Sequence, residues 1–324
     1  MMGEGFALAG GIYPPIPTFF HRDDTLDLAS LQTHIRWLLD RGVAGILTLG
    51  SNGEAMHLSD TERVAVIRAT REAFSQHSRQ PNPPPLLLAG AADLSTHGTI
   101  IRCTAAAEAG ADAVVVLPPF AFPTQMTPAA LRAHFTAVAE ASPIPVIIYN
   151  MPANAANIDL SADLIIELAQ HPNIIGVKDS SGNVTKLAQI AAQTPVGFAV
   201  LAGSGSFLIP TLSIGGTGAI AAVANVVPDL LVKLYQQWTT RFDTANVVAA
   251  HTQEIAAQQL QAQIIPLNQL VTATYGVAGL KAALQLAHGY GGTPRAPLLP
   301  LNEQQQTTIQ HTYETLQAAT ATIS

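Results

Sequence analysis

Charge is scarce in this chain, and positive charge is scarcer than negative. Only 11% of the 324 residues are charged, and 15 Lys and Arg stand against 22 Asp and Glu, for a net charge of −7. No cluster of Lys or Arg is dense enough to neutralise several phosphates. The composition therefore argues against a nucleic-acid partner.

Cysteine and long apolar runs are almost absent as well. The single cysteine, Cys103, excludes an internal disulfide, and its alanine-rich surroundings, "CTAAAEAGAD", indicate a buried helix thiol rather than a nucleophile. No apolar run has membrane-spanning length, and the start, "MMGEGFALAGG", has neither secretory nor transit character. We expect a soluble, cytoplasmic protein that has no membrane partner.

Metal-binding motifs are missing too. The ten histidines are scattered, and the sequence contains neither H-E-x-x-H nor a Cys/His cluster. We expect a site without a metal or other cofactor.

What the sequence does contain is a repeated alternation of apolar runs and amphipathic segments. Eight apolar runs recur, at 11–20, 43–50, 85–90, 111–118, 144–150, 173–179, 198–203 and 217–222. Segments between them, such as 27–42, 59–74 and 127–141, carry apolar residues at three- and four-residue spacing, which is typical of helices.

Continuous apolar strands imply a parallel sheet covered on both faces, and eight strand-helix units predict an α/β fold of the (β/α)8 TIM-barrel type. We assign residues 1–226 to this barrel and residues 227–324, where the pattern becomes helical only, to a C-terminal helical extension. The alternative is a doubly wound sheet that binds a nicotinamide cofactor. Against it, the first strand-to-helix turn, "IPTFFHRDDTLD", lacks G-x-G-x-x-G.

Active-site groups of a barrel project from the C-terminal ends of its strands, and the sixth run, "NIIGVKD", ends on Lys178. Strand alternation predicts that Ile174, Gly176 and Lys178 share one face, opposite Asp179. If that face lines the barrel axis, apolar walls disfavour the ammonium and free its lone pair for attack on a carbonyl. The alternative is a lysine that caps the strand end and reaches solvent.

Two further strand ends carry candidate groups. Tyr149 ends the fifth run, where a phenol can relay a proton, although it could equally be a core-edge tyrosine bonded to the backbone. After the second run, "GSNGE" offers free backbone N–H groups together with Ser51 and Asn52, which suits a small carboxylate. Its alternative is a plain glycine-rich turn before a helix that starts with the capping box "SDTE".

The order and spacing of "GSNGE…LSDTER", "YNMP" and "GVKDSSGN" resemble the dihydrodipicolinate synthase and N-acetylneuraminate lyase family of pyruvate-dependent class I aldolases, over nearly the whole chain. The resemblance implies that Lys178 forms an imine with a 2-oxo acid and that Tyr149 shuttles protons. It also implies that Ser51 and Asn52 hold the substrate carboxylate, that Gly203 and Ile220 line the pocket, and that the chain forms a homotetramer or a dimer.

Within that family, "GSNGE", "PANAANIDL" and "LAGSGSFL" are most similar to 4-hydroxy-2-oxoglutarate aldolases. Such an enzyme joins pyruvate to an aldehyde, such as glyoxylate or glyceraldehyde, or cleaves the product. The runner-up is dihydrodipicolinate synthase, which uses aspartate semialdehyde. Such synthases usually carry an arginine just after the "YN-x-P" motif, and in this sequence Asn154 stands near that place.

A second departure from the family concerns Phe120. Many members carry an interface tyrosine in the segment that matches "LPPFAF", and phenylalanine has no hydroxyl to relay a proton. This substitution makes a non-catalytic 2-oxo-acid-binding homologue conceivable. Retention of both Lys178 and Tyr149 argues against it, because a binder needs neither a nucleophile nor a relay.

Overall fold

Eight parallel strands form the centre of the fold. The computed structural model describes residues 8–77, 83–243 and 246–321. Each strand lies in one of the eight apolar runs: Gly11–Ile12 (β1), Gly45–Thr48 (β2), Leu86–Gly90 (β3), Ala113–Val116 (β4), Val146–Asn150 (β5), Ile174–Asp179 (β6), Ala199–Ala202 (β7) and Gly218–Ala219 (β8). The order is β1-β8-β7-β6-β5-β4-β3-β2.

Hydrogen bonds between the first two strand segments close this sheet. The Ala44 N–H donates to the Ile12 carbonyl over 2.9 Å, and the Ile16 N–H donates to the Leu47 carbonyl over 2.9 Å. The predicted (β/α)8 barrel is confirmed.

A helix follows each strand, and three more helices complete the described part of the chain. The first eight are Leu28–Leu39 (α1), Asp60–Ser75 (α2), Thr96–Glu108 (α3), Pro128–Ala141 (α4), Ala162–Leu168 (α5), Val184–Gln193 (α6), Leu208–Ser213 (α7) and Pro228–Thr239 (α8). The last three are Val247–Gln269 (α9), Gly276–His288 (α10) and Glu303–Ala321 (α11). Side-chain caps explain several starts. At α2, Ser59 and Glu62 form the predicted capping box.

The core has two layers, as barrel closure requires. Inside the barrel, side chains such as Tyr13, Leu47, Ile147 and Leu201 pack together with almost no exposure. A larger outer layer fills the space between the strands and the helices.

The sixth strand departs from simple alternation. Its register with β5 steps from Val146↔Ile174 to Ile147↔Gly176, so Ile175 forms a bulge. Ile174 consequently packs in the outer layer, while Ile175 contacts the inner one. The prediction that Ile174 shares a face with Lys178 is wrong, because the bulge shifts the phase of alternation between them.

The helical extension continues directly from the barrel. α8 contacts β1 and α7 as well as α9, so it packs as the eighth helix of the barrel ring. The division of the chain at residues 226 and 227 stays a prediction.

The chain's one thiol is buried, as the sequence indicates. Cys103 is 0% exposed on α3, and burial raises the pKa of its thiol to about 11. Across residues 8–77, 83–243 and 246–321, no helix has both the length and the apolar character needed to cross a bilayer.

His34 on α1 makes stability depend on pH. Its ring is 0% exposed, with Nε2 3.1 Å from Asn225 Oδ1 and Nδ1 3.1 Å from the Tyr290 hydroxyl. Burial disfavours the imidazolium and lowers the pKa of His34 to about 3; the Asn225 hydrogen bond opposes this shift, and nearby His288 adds to it.

We expect the free energy of unfolding to fall as the pH drops below the unfolded-state pKa of about 6.5. Between that value and the folded pKa the unfolded chain binds a proton that folded His34 does not, which amounts to about 2 kcal/mol between pH 7 and pH 5. Thermal melting over this range checks it. His34→Gln should flatten the dependence, and an equally steep dependence in that variant would refute the assignment.

Candidate active site

Lys178 and Tyr149 lie side by side at the C-terminal ends of β6 and β5. The two residues are partners in the parallel register. Both are buried, at 4% and 5% exposure, and the Lys178 ammonium lies 3.9 Å from the centroid of the Tyr149 ring. Lys178 therefore does not extend into solvent, and its amine faces a phenol rather than a carboxylate.

Two other buried lysines provide an internal comparison. Lys186 Nζ lies 2.6 Å from Asp159 and 2.9 Å from Asp179, and Lys281 Nζ lies 2.6 Å from Glu54. Among the residues that the structure describes, no carboxylate lies within ion-pair distance of Lys178. Lys178 thus differs from the other two buried lysines, because an aromatic ring rather than a carboxylate lies against its Nζ.

A polar network fixes the strand ends that carry the pair. Asn150 Nδ2 donates to Asp159 Oδ1 over 2.7 Å and to Asp179 Oδ2 over 2.8 Å. Partial burial alone would raise the pKa of Asp159, but hydrogen bonds from Lys186 and Asn150 bring it below its ordinary value. Asp179 thus forms its ion pair with Lys186. The side chain of Asp179 lies on the opposite side of β6 from that of Lys178.

A cavity of about 820 Å³ opens above this end of the barrel. Its walls include Ser51, Tyr149, Phe120 and Asn154. A volume of this size is typical of a small-molecule site. Within the described part of the chain, no group of three or more His, Cys, Asp or Glu side chains is arranged to hold a metal ion.

The structure brings only some of the predicted site residues to the cavity wall. Ser51 and Tyr149 line it, whereas Lys178 is not among the described lining residues and lies against the ring of Tyr149, which is. Asn52 lies in the turn beside Ser51 but is not among the described lining residues.

Gly203 and Ile220 likewise lie outside the described lining. The Gly203 N–H donates to the Asp179 carbonyl over 2.7 Å, and a Cβ at this glycine would clash with Ser180 Oγ. Ile220 is 0% exposed and belongs to the inner barrel core that also contains Tyr149.

The helical extension supplies lining residues that the sequence analysis missed. Two stretches of it, 274–278 and 298–302, border the cavity together with Gln305. The first begins at the last residue of a π-helical turn, Leu270–Thr274, which separates α9 from α10. Such turns often occur at functional sites, but apolar periodicity alone does not reveal them.

A buried ion pair holds this extension against the "GSNGE" loop. Lys281 Nζ on α10 donates to Glu54 Oε1 over 2.6 Å, and the Arg295 backbone N–H donates to Glu54 Oε2 over 2.8 Å. Burial lowers the pKa of Lys281, and the charge of Glu54 opposes that shift. Glu54 itself has a left-handed backbone, with φ 52°, which is uncommon for a residue other than glycine.

We expect Lys281→Met to destabilise the protein by about 3–5 kcal/mol, because it leaves the buried Glu54 carboxylate without its counter-charge. Denaturant unfolding measures this loss. The double variant Lys281→Met with Glu54→Gln, which removes both charges, should recover part of it. Equal stabilities of Lys281→Met and wild type would contradict the assignment.

The chain is similar to known proteins over most of its length. Residues 8–316 match the Dihydrodipicolinate synthetase family. The chain is 39% identical to the L-threo-3-deoxy-hexylosonate aldolase of Hypocrea jecorina, over 94% of this chain and 95% of the relative. It is also 39% identical to the probable mitochondrial 4-hydroxy-2-oxoglutarate aldolase of Emericella nidulans, over 94% of each chain.

A solved structure shows the same fold. YagE from E. coli K12, a member of the dihydrodipicolinic acid synthase family crystallised in complex with pyruvate, superposes with a TM-score of 0.84 at 29% identity, covering 96% of this chain and 99% of YagE. The family resemblance of the three motifs is thereby confirmed, and this chain belongs to the Dihydrodipicolinate synthetase family.

Proposed function

We propose that the protein is a class I aldolase that cleaves or forms a 4-hydroxy-2-oxo acid through a Schiff base between Lys178 and pyruvate. The observation that carries this proposal is the buried Lys178 amine, which lies against Tyr149 while the other two buried lysines are neutralised by carboxylates. A lysine without a counter-ion in an apolar pocket is the usual form of an imine-forming nucleophile.

In the cleavage direction, Lys178 Nζ attacks the C2 ketone and water leaves, which gives a protonated imine. Removal of the proton from the C4 hydroxyl then breaks the C3–C4 bond, and the electron pair moves to the imine nitrogen as the aldehyde departs. The resulting enamine takes up a proton at C3, and water releases pyruvate and the free amine. The chemistry consumes no cofactor, because the imine itself is the electron sink.

Tyr149 has the position to move the C4 hydroxyl proton, since its ring lies beside the amine and it lines the cavity. Because Phe120 has no hydroxyl, we assign the remaining relay to Ser51 and a water molecule. Ser51, Asn52 and their loop amides would hold the substrate carboxylate, with Gly203 and Ile220 supporting the pocket.

Asn154 bears on the choice of the aldehyde partner. Asn154 lines the cavity near the place where dihydrodipicolinate synthases usually carry an arginine. An amide cannot form the bidentate ion pair that an arginine makes with a carboxylate. This favours an aldolase over a synthase that uses aspartate semialdehyde.

Assembly and location are parts of the same proposal. The family resemblance favours a homotetramer or a dimer, and the sequence favours the cytoplasm. The relative from Emericella nidulans is named as mitochondrial, so fractionation of cells against a mitochondrial marker is the appropriate check.

The experiment that tests the proposal is borohydride trapping with pyruvate, followed by intact mass measurement and peptide mapping. The chain has only four lysines, at positions 178, 186, 233 and 281, so the modified residue is readily identified. We expect one reduced pyruvyl group, on Lys178. Folded protein that gains no adduct would refute the Schiff-base mechanism.

A further inference from the structure

Glu54 is a buried residue of the cavity wall for which the proposed chemistry has no role. It follows the turn that carries Ser51 and Asn52, which we call the carboxylate turn, and its backbone N–H donates to the Ser51 carbonyl over 3.1 Å. Its side chain is 0% exposed, and both carboxylate oxygens accept hydrogen bonds from the helical extension. The amine and the proton relay of the imine steps are supplied by other residues, so the role of this carboxylate lies outside the imine chemistry.

The carboxylate turn needs support from outside itself. Glu54 has φ 52°, a left-handed backbone that residues other than glycine keep only where their surroundings fix it. Within the barrel, Thr18 Oγ1 donates to the Gly53 carbonyl over 2.7 Å. That contact fixes one peptide group beside Glu54 but leaves its side chain free. The conformation of Glu54 therefore depends on the groups that its carboxylate binds.

The helical extension supplies these groups from two places. Lys281 Nζ, on α10 and 0% exposed, donates to Glu54 Oε1 over 2.6 Å and to the Thr293 carbonyl over 3.0 Å. The Arg295 N–H donates to Glu54 Oε2 over 2.8 Å. Arg295 Nη1 also donates to the His57 carbonyl, three residues further along, over 2.8 Å. Glu54 is thus attached both to α10 and to the segment that follows it.

This attachment bears on substrate binding because the carboxylate turn presents small donors rather than a charged side chain. In the proposed function, Ser51, Asn52 and the loop amides bind one carboxylate together, and each hydrogen bond weakens steeply when its angle changes. A misplacement of about 1 Å at such a site can cost on the order of 100-fold in rate. Arg63, the one Arg or Lys among the described lining residues, is 4% exposed and donates to the carbonyls of Ala55 and Gly90, so it offers little to compensate a misplaced turn.

We propose that Lys281, acting through Glu54, is a positioning residue that holds the carboxylate turn in the conformation that binds the 2-oxo acid. The helical extension is then part of the substrate-binding apparatus, and the packing of α10 determines the affinity for the substrate's carboxylate. This inference rests on the proposed aldolase function and deepens it, because it concerns how the same site binds its substrate.

The test compares borohydride trapping of pyruvate with trapping of hydroxyacetone, a ketone of similar size that has no carboxylate. In Lys281→Met we expect the pyruvate concentration for half-maximal trapping to rise about tenfold, which corresponds to the loss of about one hydrogen bond to a charged group. The half-maximal concentration of hydroxyacetone should keep its wild-type value, because this ketone has no carboxylate for the turn to bind. Trapping at saturating pyruvate should reach completion, since Lys178 is unchanged.

Two further variants separate positioning from a loss of stability. Lys281→Met with Glu54→Gln removes both charges and should be more stable than Lys281→Met, yet its half-maximal pyruvate concentration should remain raised, because the link to α10 is still missing. This double variant carries the test if Lys281→Met alone does not fold. Arg71→Met is the matched control. It breaks a 2.7 Å ion pair with Asp112, just before β4 at the opposite end of the barrel, and should leave both half-maximal concentrations unchanged.

The ratio of the two half-maximal concentrations decides the inference. A structural role alone would reduce the folded fraction and affect both ketones equally, so an unchanged ratio in Lys281→Met would overturn the inference. Recovery of the wild-type pyruvate value in the double variant would overturn it too, since the effect would then come from the unpaired Glu54 charge. Wild-type protein that traps no pyruvate would refute the aldolase function itself, a result distinct from normal wild-type trapping with an unchanged ratio in Lys281→Met.

Discussion

Lys178→Ala is expected to abolish both the trapped pyruvyl adduct and aldol turnover. Without this amine no imine forms, and the C3–C4 bond then has no electron sink on which to break. We expect kcat to fall by more than the roughly 10²–10⁴-fold that a single general acid or base contributes. Lys178→Arg should be equally inactive, because a guanidinium remains charged and does not form an imine.

The measurement is borohydride trapping together with steady-state cleavage of the preferred 2-oxo acid. Lys233→Ala is the matched control, since Lys233 lies on α8 and not at the strand end beside Tyr149. This control should trap pyruvate like wild type. An adduct that persists in Lys178→Ala and maps to Lys186 or Lys281 would contradict the assignment of the nucleophile.

Tyr149→Phe is expected to lower kcat by about 10²–10⁴-fold while Lys178 is still able to react. The variant keeps the ring beside which the ammonium lies, at 3.9 Å from its centroid, and removes only the hydroxyl. Proton transfer to and from the C4 oxygen then depends on water. We expect borohydride trapping to be slower but to reach completion, because the amine remains in place.

Stopped-flow trapping and steady-state kinetics separate these two effects. Tyr313→Phe on α11 removes a hydroxyl that accepts a hydrogen bond from Gln317, away from the cavity, and serves as the control. A loss of kcat below tenfold in Tyr149→Phe would assign the relay to another group, with Ser51 as the first to test.

The pattern of apolar residues along the sequence predicts much of the barrel. All eight strands lie in the eight continuous apolar runs, because a strand buried on both faces must be apolar throughout. Lys178 and Tyr149 were found in the same way, since a polar residue at the end of such a run stands at the active-site end of a barrel. The sequence did not predict which residues of β6 face the barrel interior. That depends on a bulge, and a bulge arises from pairing with the neighbouring strand and leaves no mark in the strand's own sequence.

The sequence by itself therefore determined the barrel, the family motifs and the pair of residues that we assign to the chemistry. Only the tertiary structure decided what surrounds that pair. It brings Lys281 to Glu54 across 227 positions and places the stretches 274–278 and 298–302 over the cavity. It also gives Lys186 its two carboxylates, and among the residues described it leaves Lys178 without one. Such long-range pairs depend on how helices and strands pack against one another. Local residue patterns indicate each helix or strand but not its packing partners.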